Sequence, residues 1–110
     1  MAVLRITGLP GDALAAAAGF HIEWLSKITP LREDTVLIFP SADHTHRAWR
    51  LAATQSLARQ FAPVRINAVA GDDEAAIVAA IRYLNEAEGV TGQYLTLDSA
   101  GAGEVIGSLP

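Results

Sequence analysis

The sequence lacks cysteine entirely. This excludes disulfide bonds, thiolate-bound zinc and a thiol nucleophile. Aromatic residues are also scarce, at 6% of the 110 residues, although 51% of the chain is hydrophobic. About a fifth of the residues are alanine. The apolar mass therefore consists mainly of small side chains.

Positive charge is scarce as well. Lys27 is the single lysine, the formal net charge is -4, and no run of basic residues occurs. This balance argues against nucleic-acid binding, which needs clustered Lys and Arg on the phosphates. No apolar stretch approaches the roughly 18–20 residues of a membrane span. Pro10, Gly11 and Asp12 interrupt the apolar segment that a signal peptide would need. We therefore expect a cytoplasmic protein that contacts neither nucleic acid nor membrane.

Short β-prone runs alternate with stretches of helical spacing, as expected for a chain of one domain. The predicted strands are Met1 to Thr7, Thr35 to Phe39, Val64 to Val69 and Gly92 to Asp98. The predicted helices run from Asp12 to Pro30, from Ser41–Asp43 to about Ala62, and from Ala75 to Glu88, with Gly89 as a left-handed stop. This β-α-β-α-β-α-β order predicts an α/β fold of four parallel strands and three helices, joined by right-handed crossovers. Residues 98–110 are rich in Gly and Ser and predict a flexible tail.

Small residues cover more than half the circumference of the second predicted helix, so we expect it to be covered on two sides. Arg47, Arg50 and Arg59 lie on the same helix. They predict a solvated basic face, with an acidic partner as the alternative. Trp24 and Trp49 suit a core, a subunit interface or, less well, a ligand pocket.

The second half of the chain resembles the short-chain dehydrogenases/reductases, with the 3-oxoacyl-carrier-protein reductase-like branch as the nearest. Strand and helix motifs of that family recur in its order over roughly residues 35 to 100. They are Thr35 to Ser41, Arg47-Ala48-Trp49 with Ser56-Leu57-Ala58-Arg59, Val64 to Ala70 (V-R-I-N-A-V-A), Asp73 to Leu84, and Thr91 to Asp98 (T-G-Q-Y-L-T-L-D). The resemblance implies one truncated, Rossmann-like three-layer domain over residues 1–110.

The chain departs from the family at its catalytic pair, Tyr-x-x-x-Lys. Counting back from Ser56 places Asp43 at the tyrosine position and Arg47 at the lysine position. An aspartate cannot supply a phenol-like proton, and arginine does not replace lysine. We therefore expect no catalytic residues.

Two further segments of the family are missing. The substrate-covering loop is deleted at Ala70-Gly71, and the N-terminal half with the dinucleotide motif is reduced. Whether the first strand corresponds to the family's first or fourth strand stays open. Gly8 and Gly11, between a strand and a helix, could form a contracted nucleotide loop with Ser41. Asp12 opposes this because it caps the same amide groups and repels phosphate. We therefore expect no cofactor. The alternative is a minimal nicotinamide- or nucleotide-binding domain, or an oxidoreductase remnant, that binds NAD or NADP.

Two other motifs predict no site. Asp43-His44-Thr45-His46 looks metal-binding, but His44 and His46 would diverge on a helix and too few ligands converge. Gly101 to Gly107 resembles a nucleotide loop, but too little chain follows it in this sequence for the helix that such a loop requires.

The resemblance implies subunit contacts through the family's fifth helix and its sixth-helix and seventh-strand surface. An open sheet also leaves edges that need cover. We therefore expect a non-catalytic protein that acts through association, as a homodimer or as a partner of a full-length reductase. The predicted interface residues are Trp49, Ala53, Leu57 and Tyr94.

Overall fold

Four parallel strands form one sheet in the computed structural model, which describes residues 1–97. The strands lie in chain order, β1-β2-β3-β4, and the register pairs Ala2 with Thr35, Thr35 with Ile66, and Ala68 with Tyr94. The elements are β1 (Ala2–Arg5), α1 (Ala13–Gly19), a π-helical turn (Phe20–Trp24), α2 (Leu25–Ile28), β2 (Thr35–Phe39), a 3₁₀ turn (His44–His46), α3 (Arg47–Gln60), β3 (Ile66–Ala70), α4 (Glu74–Glu86) and β4 (Tyr94–Thr96). The predicted tail, residues 98–110, lies outside the described residues.

Every residue of the two central strands is buried. Leu37 and Phe39 pack into one cluster with the π turn and α3, whereas Val36 and Ile38 pack into a second cluster with α4. Side chains of a strand alternate between its faces, so both faces of the sheet are covered. The first helix (α1, the π turn and α2 in succession), α3 and α4 are the three predicted helices. The predicted three-layer α/β sandwich is therefore confirmed.

The helices are divided unequally between the faces of the sheet. The first helix and α3 lie on one face and α4 lies on the other, while each crossover moves one strand further in the same direction. Two β-α-β crossovers that both lead to the next strand in the same direction have opposite handedness when their helices lie on opposite faces of the sheet. The prediction that all crossovers are right-handed is therefore wrong for at least one of them, despite the strong general preference.

Aspartates begin the helical segments. Asp12 accepts from the Ala15 amide at 3.0 Å, and Asp73 accepts from the Ala76 amide at 2.9 Å. Asp43 accepts from the Thr45 amide and starts the 3₁₀ turn before α3. These caps satisfy amides that have no partner inside the helix. The predicted helix starts are thus close to the observed ones.

The predicted end of α4 is wrong. The helix ends at Glu86, and only Gly8 and Gly92 have positive φ among residues 1–97, so Gly89 is not a left-handed stop. Its last carbonyls are instead bound by Arg65, whose Nη1 donates to Ala87 O at 2.5 Å. A distant side chain replaces the local glycine cap.

Arg65 joins the starts of β2 and β3 to the end of α4. Its amide and Nε donate to the two carboxylate oxygens of Asp34, at 2.8 and 3.0 Å, while Nη1 donates to Leu84 O at 3.0 Å. The amide hydrogen bond from Arg65 is the main reason that the pKa of Asp34 lies below its ordinary value of 3.8.

Asn67 and Gly92 position the last strand. Asn67 Nδ2 donates to Val90 O, and its Oδ1 accepts from the Gln93 amide, both at 3.0 Å. Gly92 has φ of +75° and donates its amide to Ile66 O at 2.7 Å. This backbone conformation favours glycine, which explains its place directly before β4.

Within residues 1–97, no helix has the length and apolar character needed to cross a bilayer.

The lowered pKa of Asp34 predicts an acid-dependent loss of stability. The folded pKa is below the unfolded value, so the contribution is complete above about pH 4 and is lost as pH falls through the folded pKa. We expect Asp34→Asn to lower the free energy of unfolding by roughly 1 kcal/mol at pH 7 and to flatten its decline below pH 4. Urea unfolding across this pH range measures both effects.

Glu86→Gln is the matched control, since Glu86 is an exposed acid with no ion pair among residues 1–97. It should leave the pH profile unchanged. An Asp34→Asn profile that parallels the wild type would contradict the assigned role of Asp34.

Candidate functional site

A cavity of about 270 Å³ lies at the carboxyl edge of the sheet, between the loops that follow β1 and β2. Gly8, Gly11 and Ser41, the three weak candidates for cofactor binding, all line it. Loops after neighbouring parallel strands meet at one edge, where open α/β sheets place their ligands. The structure therefore brings together residues that are 33 positions apart in sequence.

Asp43 also lines this cavity, but its carboxylate is already engaged. Oδ1 accepts from the Thr45 hydroxyl and from the Thr45 amide, the latter at 2.9 Å. These two hydrogen bonds, the hydroxyl first, lower the pKa of Asp43 below 3.8. The carboxylate stays ionised at neutral pH, so it cannot donate a proton as the family's tyrosine does.

Arg47, at the family's lysine position, does not line the cavity. Its guanidinium carbon lies 5.9 Å from the centre of the Tyr94 ring, and its side chain is exposed. The two positions that carry the catalytic pair in the family therefore do not converge on one point here.

His46 connects α3 to the loop after β1. Its Nε2 lies 2.8 Å from Gly11 O, and its Nδ1 accepts from Trp49 Nε1 at 3.1 Å. A carbonyl only accepts, so Nε2 must carry the proton, and both ring nitrogens are occupied. His44 is exposed, and no group of three potential metal ligands forms within residues 1–97. The sequence pattern did not show that His46 is a structural bridge.

Arg50 is a buried cavity residue, contrary to the prediction from the sequence. It was assigned to a solvated face, yet it is only 3% exposed and lines the cavity. Nη1 donates to Pro40 O at 2.9 Å and to the Tyr94 hydroxyl at 3.1 Å. The guanidinium also lies 4.7 Å from the centre of the Phe39 ring. A signal was present: Ala53 and Leu57 follow Arg50 at three and seven residues, the spacing of one helix face.

The predicted interface residues lie in the chain's own core. Ala53, Leu57 and Tyr94 are 6%, 4% and 7% exposed, and Trp49 packs on Phe20 at a ring-centre distance of 5.6 Å. Three of these four side chains are therefore unavailable to a partner. An association surface of this chain would have to consist of other, exposed residues. Within the single chain, α3 is covered on one side. Its buried residues lie on one face, and Ala48, Ala52 and Ser56 are exposed, so a second covering of this helix stays a prediction about a partner.

A second cavity, of about 230 Å³, lies at the same edge, where β3 passes directly into α4. Gly71 and Asp72 line it at the point where the sequence indicates that the family's covering loop is deleted. Asp72 accepts from the Ser41 amide at 3.1 Å. This contact ties the loop after β2 to the loop after β3, so the edge is held together by short loops instead of a lid.

The acid–base side chains that line the cavity are already engaged. Asp43 accepts from Thr45, and His46 bonds to Gly11 and Trp49. The cavity lies just below the range of about 300–1,000 Å³ typical of small-molecule sites. It accommodates a ligand much smaller than a dinucleotide.

This chain is similar to a known protein family. A family model described as SDR-like, short chain dehydrogenase-like protein, matches residues 4–97. The match confirms the resemblance and extends it to β1 and the first helix. No curated protein and no solved structure matched the chain. Because the family model covers most of the chain, this protein belongs to the SDR-like family of short chain dehydrogenase-like proteins.

Proposed function

We propose that this protein is a non-catalytic member of its family that acts by association, with a second copy of the chain as its partner. The observation that carries the proposal is the outer surface of the helical layer built by α1, the π turn and α3. Large apolar side chains project there into solvent. We call this surface the helix-layer surface, defined by Leu14, Ala18, Ile22, Ala48 and Ala52.

The absence of catalysis is supported by the side chains that replace the family's pair. Asp43 is ionised and bound to Thr45, and Arg47 lies outside the cavity. Neither side chain is placed to exchange a proton with a ligand in the cavity.

The helix-layer surface exposes two large apolar side chains and three alanines. Leu14 and Ile22 are 81% and 77% exposed, and Ala18, midway between them, is also exposed. On α3, Ala48 and Ala52 are exposed at a spacing of four residues. α1 packs against α3 on one face of the sheet. Exposed apolar rows of this kind mark association surfaces, and small residues permit close helix packing.

The spacing favours a second copy as the partner. Leu14 and Ile22 lie four residues on either side of Ala18. In an antiparallel pairing about a two-fold axis at Ala18, Leu14 of each chain would meet Ile22 of the other, which makes the surface self-complementary. α3 also contains the residues that resemble the family's fifth helix, through which the resemblance implies subunit contacts. If the chain does not self-associate, a full-length reductase is the alternative partner.

Ile22→Asp should convert the dimer to a monomer. A symmetric interface contains each side chain twice, and each buried isoleucine contributes at least about 1.5 kcal/mol. The dissociation constant should therefore rise by about 100-fold or more. Sedimentation equilibrium measures this change, and circular dichroism should show an unchanged fold because Ile22 is exposed.

Val78→Asp is the matched control. Val78 is 52% exposed on α4, which lies on the opposite face of the sheet. It should leave dimerisation unchanged. A wild-type chain that stays monomeric at high micromolar concentration would contradict the homodimer. Co-purification of that monomer with a reductase would then support the heteromeric form.

The second candidate function is binding of a nicotinamide cofactor. It is favoured by one observation, the convergence of Gly8, Gly11 and Ser41 on the same cavity. Asp12 opposes it because its carboxylate already accepts from the Ala15 amide at the start of α1. A cytoplasmic location is part of the proposal under either function, and cell fractionation tests it.

Calorimetric titration with the oxidised and reduced forms of NAD and NADP separates the two candidates. We expect no saturable binding, since the cavity is small and Asp12 and Asp43 both add negative charge near it. Micromolar binding that Gly11→Glu abolishes would instead support the cofactor site. Gly11 suits this variant because an added Cβ meets no atom within 4 Å.

A further inference from the structure

Arg50 carries a positive charge that the described part of the chain does not neutralise. Its side chain is 97% buried, and no ion pair of Arg50 occurs within residues 1–97. Arginine does not lose its proton in proteins. A buried charge without a counter-ion is costly, so such a residue needs an explanation.

The hydrogen bonds that Arg50 makes within residues 1–97 use one edge of the guanidinium. Both observed bonds use Nη1, which donates to Pro40 O and to the Tyr94 hydroxyl. Nε is buried without any acceptor, and no acceptor for Nη2 occurs among residues 1–97. Nε and Nη2 form one edge of the guanidinium, with two parallel N–H groups, and Nε has almost no accessible surface. This fork matches the two oxygens of a carboxylate or phosphate.

The fork is held rigidly by its surroundings. The guanidinium lies 4.7 Å from the Phe39 ring centre and 5.7 Å from the Trp49 ring centre. Trp49 is itself fixed by its hydrogen bond to His46. A preorganised fork loses little conformational freedom when it binds an anion.

The other charged groups at the cavity do not satisfy Arg50. Asp43 lines the same cavity but gives its carboxylate to Thr45. His46 uses both ring nitrogens, one towards Gly11 and one towards Trp49. The negative charge of Asp43 disfavours a doubly charged ligand more than a singly charged one.

The remaining walls of the cavity are largely apolar. They are formed by Ile6, Leu9, Pro10, Ala16 and Ala42. An inorganic ion would leave these walls uncovered, whereas a short hydrocarbon body would cover them. We therefore propose that the cavity binds a small monocarboxylic acid, with its carboxylate paired to the guanidinium of Arg50 and its apolar body against Ile6 and Leu9.

Butyrate tests this proposal against butyramide, which has a similar shape and no charge. Each is titrated into isotope-labelled protein, and NMR follows the Arg50 Nε–H signal and the amides of Gly8 and Gly11. We expect saturable binding of butyrate in the millimolar range, at least about tenfold tighter than that of butyramide. Inorganic phosphate should bind more weakly than butyrate because of Asp43.

Arg50→Lys keeps the charge but removes the fork, and it should weaken butyrate binding by about tenfold or more. Arg47→Lys is the matched control, since the same change on the same helix lies outside the cavity, and it should leave the affinity unchanged. Asp43→Asn keeps a residue type suited to the start of a helix. It should tighten butyrate binding by about threefold or more, because it removes a like charge.

Equal binding of butyrate and butyramide, or saturable binding of neither, would overturn the proposal. Tighter binding of phosphate than of butyrate would overturn the assignment of a monocarboxylate. If Arg50→Lys does not fold, the butyrate–butyramide comparison and Asp43→Asn still decide the question. Neither Leu14 nor Ile22 lines the cavity, so a monomeric protein that binds butyrate would refute only the proposed dimer.

Discussion

The burial of β2 and β3 on both faces is the constraint on which the rest of the structure depends. Neither strand has a residue that faces solvent. Helices must therefore cover both faces of the sheet, and the third layer requires α4 to cross on the face opposite to α3. With both faces covered, the open edge of the sheet lies at the ends of the strands. This is why the cavity, its loops and the two aspartates Asp43 and Asp72 lie at the carboxyl edge.

The residues that carry the family resemblance have structural roles in this chain. Arg65 binds Asp34 and the last carbonyls of α4, and Asn67 holds the segment that leads into β4. These contacts constrain the scaffold, which explains why the family is recognisable in this sequence.

Structural features set by residues close in sequence were predictable, whereas contacts between residues far apart in the chain were not. The alternation of apolar strands and helices predicted the parallel sheet, and Asp12 and Asp73 predicted helix starts, because each depends on neighbours within a few residues. The end of α4 was mispredicted because its cap, Arg65, comes from another part of the chain. Arg50 was mispredicted for a similar reason. Charge suggested a solvated position, but its helix face packs on the sheet beneath Phe39 and Tyr94.

The sequence by itself determined the element order, the four-stranded α/β fold class and the membership of an SDR-like family. It also predicted that Asp43 and Arg47 replace the Tyr-x-x-x-Lys pair. Hydrophobic periodicity and motif order are local properties, which a single sequence displays. Only the tertiary structure decided which face of α3 is buried, which side chains remain outside, and which charge lacks a partner. These depend on packing between residues far apart in the chain. Packing buried Ala53, Leu57 and Tyr94, left Leu14 and Ile22 exposed, and enclosed Arg50 beside a cavity.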